Sequence, residues 1–226
     1  METWRTEWIQ KKNVIACNLE AGHCEGTYGE AVIILCAALS AVAAEVWPGK
    51  GNDRARFVQL LKDFAPSELN ATRISIPLLV GYLRTSGQIV ESESIRHVWF
   101  NQDPSQILTG DDIDKSEMEI GELCPTLNLR NLREHSYANL LYSEVRSAYA
   151  HEYRPGNRAV SWPMTQRKDA AISYFNWVGK PDRHIHFHRD WISKVAITVA
   201  QAVDAAAPAG LRRSKPKHWW VDGEKP

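Results

Sequence analysis

The stretch Tyr28-Gly-Glu-Ala-Val-Ile-Ile-Leu-Cys-Ala-Ala-Leu-Ser-Ala-Val-Ala-Ala-Glu-Val-Trp47 decides the fold class. Glu30 sits in the first turn, where a carboxylate suits the positive end of a helix. From Ala31 to Leu39 the residues are apolar on every side, and a helix apolar all round is packed by neighbours on several faces. Pro48-Gly49 stops it, as Pro and Gly do beyond a C-cap. The uncharged run Ala31 to Ala44 is shorter than a bilayer core. The expectation is a central core helix of a mainly α protein, with no membrane span.

Outward from it, Asp53 opens a helix over Arg54 to Phe64, with Phe57, Leu60, Leu61 and Phe64 at 3–4 spacing. Before it, Trp4, Trp8 and Ile9 mark a short helix, and Gly22, Gly26 and Gly29 punctuate a turn. Arg73 to Arg84 reads as a third helix with Pro77 near its start, where the missing N–H costs nothing. Ser86 to Thr126 is less periodic and reads as loops with one or two short helices. Leu132 to Tyr153 is the second strong helix, with a stripe of Tyr137, Leu141, Val145 and Ala148, ended by Pro155-Gly156. Ala171 to Val178 is rich in β-branched and aromatic residues, and after a four-residue turn Arg183 to His188 alternates strictly, a hairpin signal. Asp190 then caps a last helix, Trp191 to Ala207, with Trp191, Val195, Val199, Val203 and Ala206 on one side. The organisation expected is an N-terminal helical extension (1–26), a helical domain (27–210) with a loop-rich insertion (about 86–130) and a hairpin (about 171–188), and a basic, flexible tail (211–226).

Lys+Arg and Asp+Glu balance at 27 each, so no global charge draws the chain to nucleic acid or anionic lipid. Any such site must be a local patch. The nine tryptophans read as packing anchors. None of Cys17, Cys24, Cys36 and Cys124 forms a C-x-x-C pair, and the N-terminus lacks a signal-peptide pattern; the reading is a reduced, cytoplasmic protein.

The chemistry-bearing segment is Arg146-Ser-Ala-Tyr-Ala-His151-Glu-Tyr153. At about 100° per residue, Arg146 and Tyr153 lie roughly 140° and 120° from Leu141, nearly in line and away from the apolar stripe. His151 lies about 80° off on the opposite flank, at the helix end. Arg offers a planar fork for phosphate oxygens, and His passes a proton near neutral pH. From spacing alone the pair also fits a solvated face or a C-terminal helix charge. A two-fold dimer through this helix would pool two copies of each.

These eight residues resemble the R-x4-6-H motif of the HEPN superfamily, in its R-x4-H-x-Y form, as in toxins of HEPN/MNT pairs. The likeness extends loosely over Tyr28 to Pro155, with the last helix as fourth bundle member. It implies a HEPN-like four-helix bundle with additional short helices and the hairpin inserted before the last helix. It also implies a homodimer whose motifs line one groove and metal-independent RNA cleavage without a cofactor, in a toxin–antitoxin or phage-defence setting. Arg146 would stabilise the charged phosphorane, and His151 would act as acid or base on the 2′-OH route. Tyr153 matches a position that a partner antitoxin can nucleotidylate. Ser147 stands where active members commonly carry Asn, Asp or His, so a non-catalytic module binding RNA, a nucleotide or a protein is the alternative.

Glu144 and Glu152 are candidates to orient Arg146 or His151, or face water. His184, His186 and His188 share one strand face; with Lys180, Arg183 and Arg189 they are read as a solvated or RNA-facing patch, since side-by-side strand residues converge poorly on one metal. Cys17, His23 and Cys24 lack a fourth ligand, and no metal is expected. The tail's Arg212, Arg213, Lys215 and Lys217 with Trp219-Trp220 suit a disordered segment or a single-strand contact.

Overall fold

A computed structural model describes residues 3–100, 106–161, 170–176, 182–213 and 215–216. The protein is mainly helical, with several short helices and a small antiparallel sheet just before the last long helix. In chain order these are α1 (Trp4–Glu20), α2 (Tyr28–Val46), α3 (Asp53–Phe64), α4 (Ile76–Thr85), α5 (Ile89–Trp99), β1 (Leu108–Thr109), α6 (Gly110–Ile113), α7 (Glu117–Leu123) and α8 (Leu129–Glu134). A continuous rod follows: α9 (Tyr137–Leu140), a π-helical stretch (Leu141–Ser147) and α10 (Ala148–Glu152). This motif helix leads to β2 (Ile172–Asn176), β3 (Arg183–Phe187) and α11 (Arg189–Ala206).

The all-round apolar reading of α2 holds. It packs against α1, α3, the motif helix and α11. Val32, Leu35, Cys36, Leu39, Val42, Ala43 and Val46 are buried in one core. Its start is fixed by a capping box: Thr27 Oγ1 accepts the Gly29 N–H at 3.1 Å, and the Glu30 carboxylate accepts the Thr27 N–H at 2.9 Å. With 19 residues α2 is longer than its uncharged run, and by length and composition it is long and apolar enough to cross a membrane, though most of it is buried against the protein. The α11 stripe of Trp191, Val195, Val199 and Val203 is buried as its spacing predicts. The helix begins one residue before Asp190, which occupies the first turn instead of capping.

The N-terminal helix is long, not short. Its alternating charges mask one buried line of Arg5, Ile9 and Ala16. Arg5 forms ion pairs with Glu45 of α2 and, at 3.0 Å, with Asp204 of α11, which ties three helices together. Between 86 and 126, α5 runs for 11 residues, beyond the loops and short helices expected there. Ile95 enters a second, smaller core with Ile74, Ile76, Leu79, Leu83, Ile120 and Leu132.

The helix expected over Leu132 to Tyr153 is broken at His135-Ser136. The extended segment 73–75 intercepts it: the Ser75 N–H donates to the His135 carbonyl and the Tyr137 N–H to the Arg73 carbonyl, both at 2.9 Å. Ser136 then caps the new helix. Pro77 sits in the first turn of α4, as its position suggested.

The sheet order is β1-β2-β3, with Tyr174 opposite Ile185 and Ser173 opposite His186. The hairpin turn at 177–181 lies outside the described residues. Residues 158–160 run along the free edge of β3, where the Val160 N–H donates to the Ile185 carbonyl at 3.0 Å. The chain leaving the motif helix therefore covers the sheet edge. The hairpin is bound into the core, with the Tyr28 hydroxyl donating to the Phe187 carbonyl at 2.6 Å.

The tail is not free from its first residues. The Arg213 N–H donates to the Val46 carbonyl, and its guanidinium bonds Asp63 at 2.7 Å while lying over Trp47 and Phe64. Lys217 and Trp219-Trp220 lie outside the described residues.

Candidate functional site

The motif helix carries Arg146 in its π-helical stretch and His151 in α10, and ends at Tyr153. Single-turn π-bulges recur at functional sites; this one is a seven-residue run. It also shifts the angular bookkeeping of an ideal α-helix, so Arg146 turns toward α2. Arg146 is half-buried, its Nε donating to Ser40 Oγ at 3.2 Å and its guanidinium lying 5.3 Å from the Tyr142 ring centre. Among the described residues it pairs with no carboxylate. Arg5, Arg73, Arg133, Arg158 and Arg189 all do. A half-buried guanidinium still has N–H donors in a planar fork to offer an anion.

His151 is exposed and forms no ion pair or hydrogen bond with a described residue. Tyr153 ends the helix in the left-handed region (φ 54°), and its side chain is 91% exposed. A bulky non-glycine residue there stores strain. Ser147 is half-buried inside the π stretch. Arg146, His151 and Tyr153 thus share one rod but not one face.

The two candidate supporting glutamates do other work. Glu144 is buried and clamps the chain after the helix: Oε1 accepts Arg158 Nη2 at 2.7 Å and Nε at 3.0 Å, while its carbonyl accepts the Gly156 N–H at 2.8 Å. A Cβ on Gly156 would collide with that carboxylate, which is why glycine stands there. Glu152 is exposed and bonds Arg154 at 2.9 Å. Among the described residues neither forms a hydrogen bond or ion pair with Arg146 or His151, so an orienting role gives way to these clamps.

The proposed strand patch is corrected as well. His186 and His188 are each 3% exposed, because residues 158–160 and Tyr28 cover that side of β3. His188 Nε2 pairs with Ser173 Oγ at 2.8 Å, and His186 Nδ1 lies 3.3 Å from the Val160 carbonyl. Burial, helped by neighbouring His188, pushes the His186 pKa down to about 4, so the ring is neutral. His184 is half-buried. Arg183 is buried, donating to the Gln106 carbonyl and lying over Phe100. Arg189 is held by Glu20, Asp190 and the Cys17 sulfur. Lys180 lies outside the described residues. No group of three or more metal-ligating side chains occurs among the described residues.

Two buried networks escaped the sequence reading. Asp114, 1% exposed, accepts both the Tyr137 and Tyr174 hydroxyls at 2.6 Å and the Ile76 N–H at 2.8 Å. Burial outweighs these donors and raises its pKa to about 7. His135 bonds the Asn131 carbonyl at 2.7 Å and faces Arg158; burial first, then that cation, lowers its pKa to about 4. Asp114 lies in a segment with little periodicity, which left no trace of its partners.

Between the start of α2 and the end of the motif helix lies a cleft of about 640 Å3, with Tyr28, Gly29, Glu30, Tyr149 and Tyr153 on its walls.

Comparison with known proteins yields no matching family model, no matching curated protein and no matching solved structure.

Proposed function

We propose that the protein is a metal-independent endoribonuclease of the HEPN class, acting as a homodimer in toxin–antitoxin or phage-defence biology, with α2, α3, the motif helix and α11 as its four-helix bundle. The observation that carries the reading is Arg146, a half-buried guanidinium with no carboxylate among the described residues, on the same helix as an exposed, unpaired His151. A phosphate supplies the missing counter-charge, and Arg matches its oxygens.

Within one protomer Arg146 turns toward α2 while His151 and Tyr153 face solvent, so the two-fold pairing is what assembles the site. Arg146 binds the scissile phosphate. One His151 takes the proton from the 2′-OH, whose oxygen attacks phosphorus. The partner's His151 gives a proton to the departing 5′-oxygen, leaving a 2′,3′-cyclic phosphate and a 5′-hydroxyl. The cleavage uses no cofactor and is read as cytoplasmic. Tyr153, fully presented, is open to modification by an antitoxin. Ser147, in place of the usual Asn, Asp or His, favours the second reading, a non-catalytic HEPN module binding through the same groove.

The test is cleavage of labelled RNA in EDTA. Arg146→Ala and His151→Ala are each expected to lose at least about a hundredfold in rate, and the wild-type products to carry cyclic phosphate. Cleavage that persists in both variants, or wild-type protein that binds RNA and never cuts it, overturns the nuclease reading. A chain that stays monomeric in sedimentation at assay concentration removes the composite site.

A further inference from the structure

We propose that the cleft between the start of α2 and the end of the motif helix is a subsite for one nucleobase with an exocyclic amino group, gripped by the Tyr149 hydroxyl and covered by the Tyr153 ring. The proposal takes its ligand class from the RNA-cleaving reading. Its geometry is independent of that reading.

The cleft, at about 640 Å3, lies within the range of small-ligand pockets and exceeds what one base needs. Tyr149 is 6% exposed, yet its hydroxyl is buried with no hydrogen-bond partner; Ser161 lies near enough to perturb the phenol but outside bonding geometry. An orphaned buried hydroxyl is costly, and a ligand that bonds it recovers that cost. The Tyr149 ring lies where a side chain on Gly29 would be, 2.7 Å from the position of a Cβ. Glycine at 29 therefore keeps the ring seated and the cleft open. At the mouth stands Tyr153, held in strained backbone with its ring in solvent. An exposed aromatic at a pocket rim offers a stacking face to a base.

Charge decides which part of a nucleotide enters. Glu20 and Glu30 line the cleft and Arg154 stands exposed at its rim. Glu20 is paired with Arg189 and Glu30 caps α2 through Thr27, so the wall offers carboxylate oxygens as acceptors for N–H donors and no cation for a phosphate apart from Arg154 at the rim. The base goes in by its amino-bearing edge, and the phosphate stays outside, toward the exposed end of the motif helix where His151 lies. Adenine, cytosine and guanine fit this edge; uracil presents no amino group.

The test uses nucleosides, which carry no phosphate, titrated into the full chain by ligand-observed NMR. Adenosine and cytidine are expected to bind, and uridine to bind at least severalfold more weakly. Tyr149→Phe keeps the ring and removes only an unpaired buried hydroxyl, so it folds at least as well as wild type while binding roughly three- to tenfold more weakly. Arg146→Ala retains nucleoside binding. Equal binding by wild type and Tyr149→Phe overturns the subsite, as does a simple diamine that binds tighter than any nucleoside. Arg146-dependent cleavage without nucleoside binding sinks the subsite alone. Nucleoside binding by a protein that never cuts RNA sinks the nuclease reading and leaves the subsite standing.

Discussion

The two ends of the motif helix obey opposite rules. At its start, Tyr137 and Ser136 are buried, and every group around Asp114 has a partner. At its finish, His151 is exposed and bonds no described residue, Tyr153 is strained and exposed, and the Tyr149 hydroxyl has no hydrogen-bond partner among the described residues. The same rod is satisfied where it is embedded and unsatisfied where it meets solvent. Between them, Arg146 is oriented by Ser40 and Tyr142 and pairs with no carboxylate among the described residues. Buried, partnered groups and exposed ones occupy different turns of one helix, and variants at each end should separate their effects.

The largest effect is expected at the embedded end. Asp114→Ala strands the buried Tyr137 hydroxyl and the Ile76 N–H, leaves Tyr174 with Ser75 alone, and should cost roughly 3–5 kcal/mol of stability. Urea unfolding measures this directly, and a loss within experimental error would show that the network is ornamental to the fold. The variant should bind nucleosides normally to the extent that it stays folded.

A pH series sharpens the contrast next. His135 and His186 have folded pKa values near 4, below the usual 6.5. Their contribution to stability is complete above 6.5 and declines as pH falls toward 4. Asp114 is raised from 3.8 to about 7, so its contribution is complete below 3.8 and declines as pH rises toward 7. Between pH 4 and 6.5 the two trends oppose. In His135→Gln the urea midpoint should fall less on acidification than in wild type; an unchanged acid limb would mean that the ring is not kept neutral by burial.

The smallest stability effect belongs to the solvent end, with the opposite sign. Glycine accepts the left-handed backbone at 153 without strain, so Tyr153→Gly should stabilise the fold by about 1 kcal/mol after its extra unfolded-state entropy. The same change should weaken nucleoside binding by removing the rim ring. A thermal midpoint that drops instead would show that the tyrosine packs on the protein and is not held out for a ligand.

Much of this architecture was legible in the chain. The unbroken apolar character of Ala31 to Leu39 marked the central helix, because no polar face means no solvent face. The 3–4 spacing in α3 and α11, the β-branched and aromatic content of β2 and the alternation in β3 were equally direct. Alternation did not reveal that both faces of β3 are covered, since burial of His186 depends on Tyr28 and on residues 158–160, which are distant in sequence or follow an unrelated turn. The break at His135-Ser136 was hidden for a similar reason: an extended segment sixty residues earlier supplies the competing hydrogen bonds. Of the candidate site, Arg146, His151 and Tyr153 could be singled out as candidates, while for Glu144 the sequence left open an orienting role or a solvated one, and the structure gives it Arg158 instead.

By itself the sequence determined that α2, α3, α4 and α11 are helices, which faces of α3 and α11 are buried, and where a cation, an imidazole and a phenol stand near one helix end. Those properties follow from local periodicity and side-chain chemistry. Tertiary structure alone decided which polar groups are left without partners: that Arg146 meets a serine and not a carboxylate, that the histidines of β3 are buried, and that Tyr149 ends at an open cleft. A polar group's partners come from whatever element packs across from it, and that is settled only when the core closes.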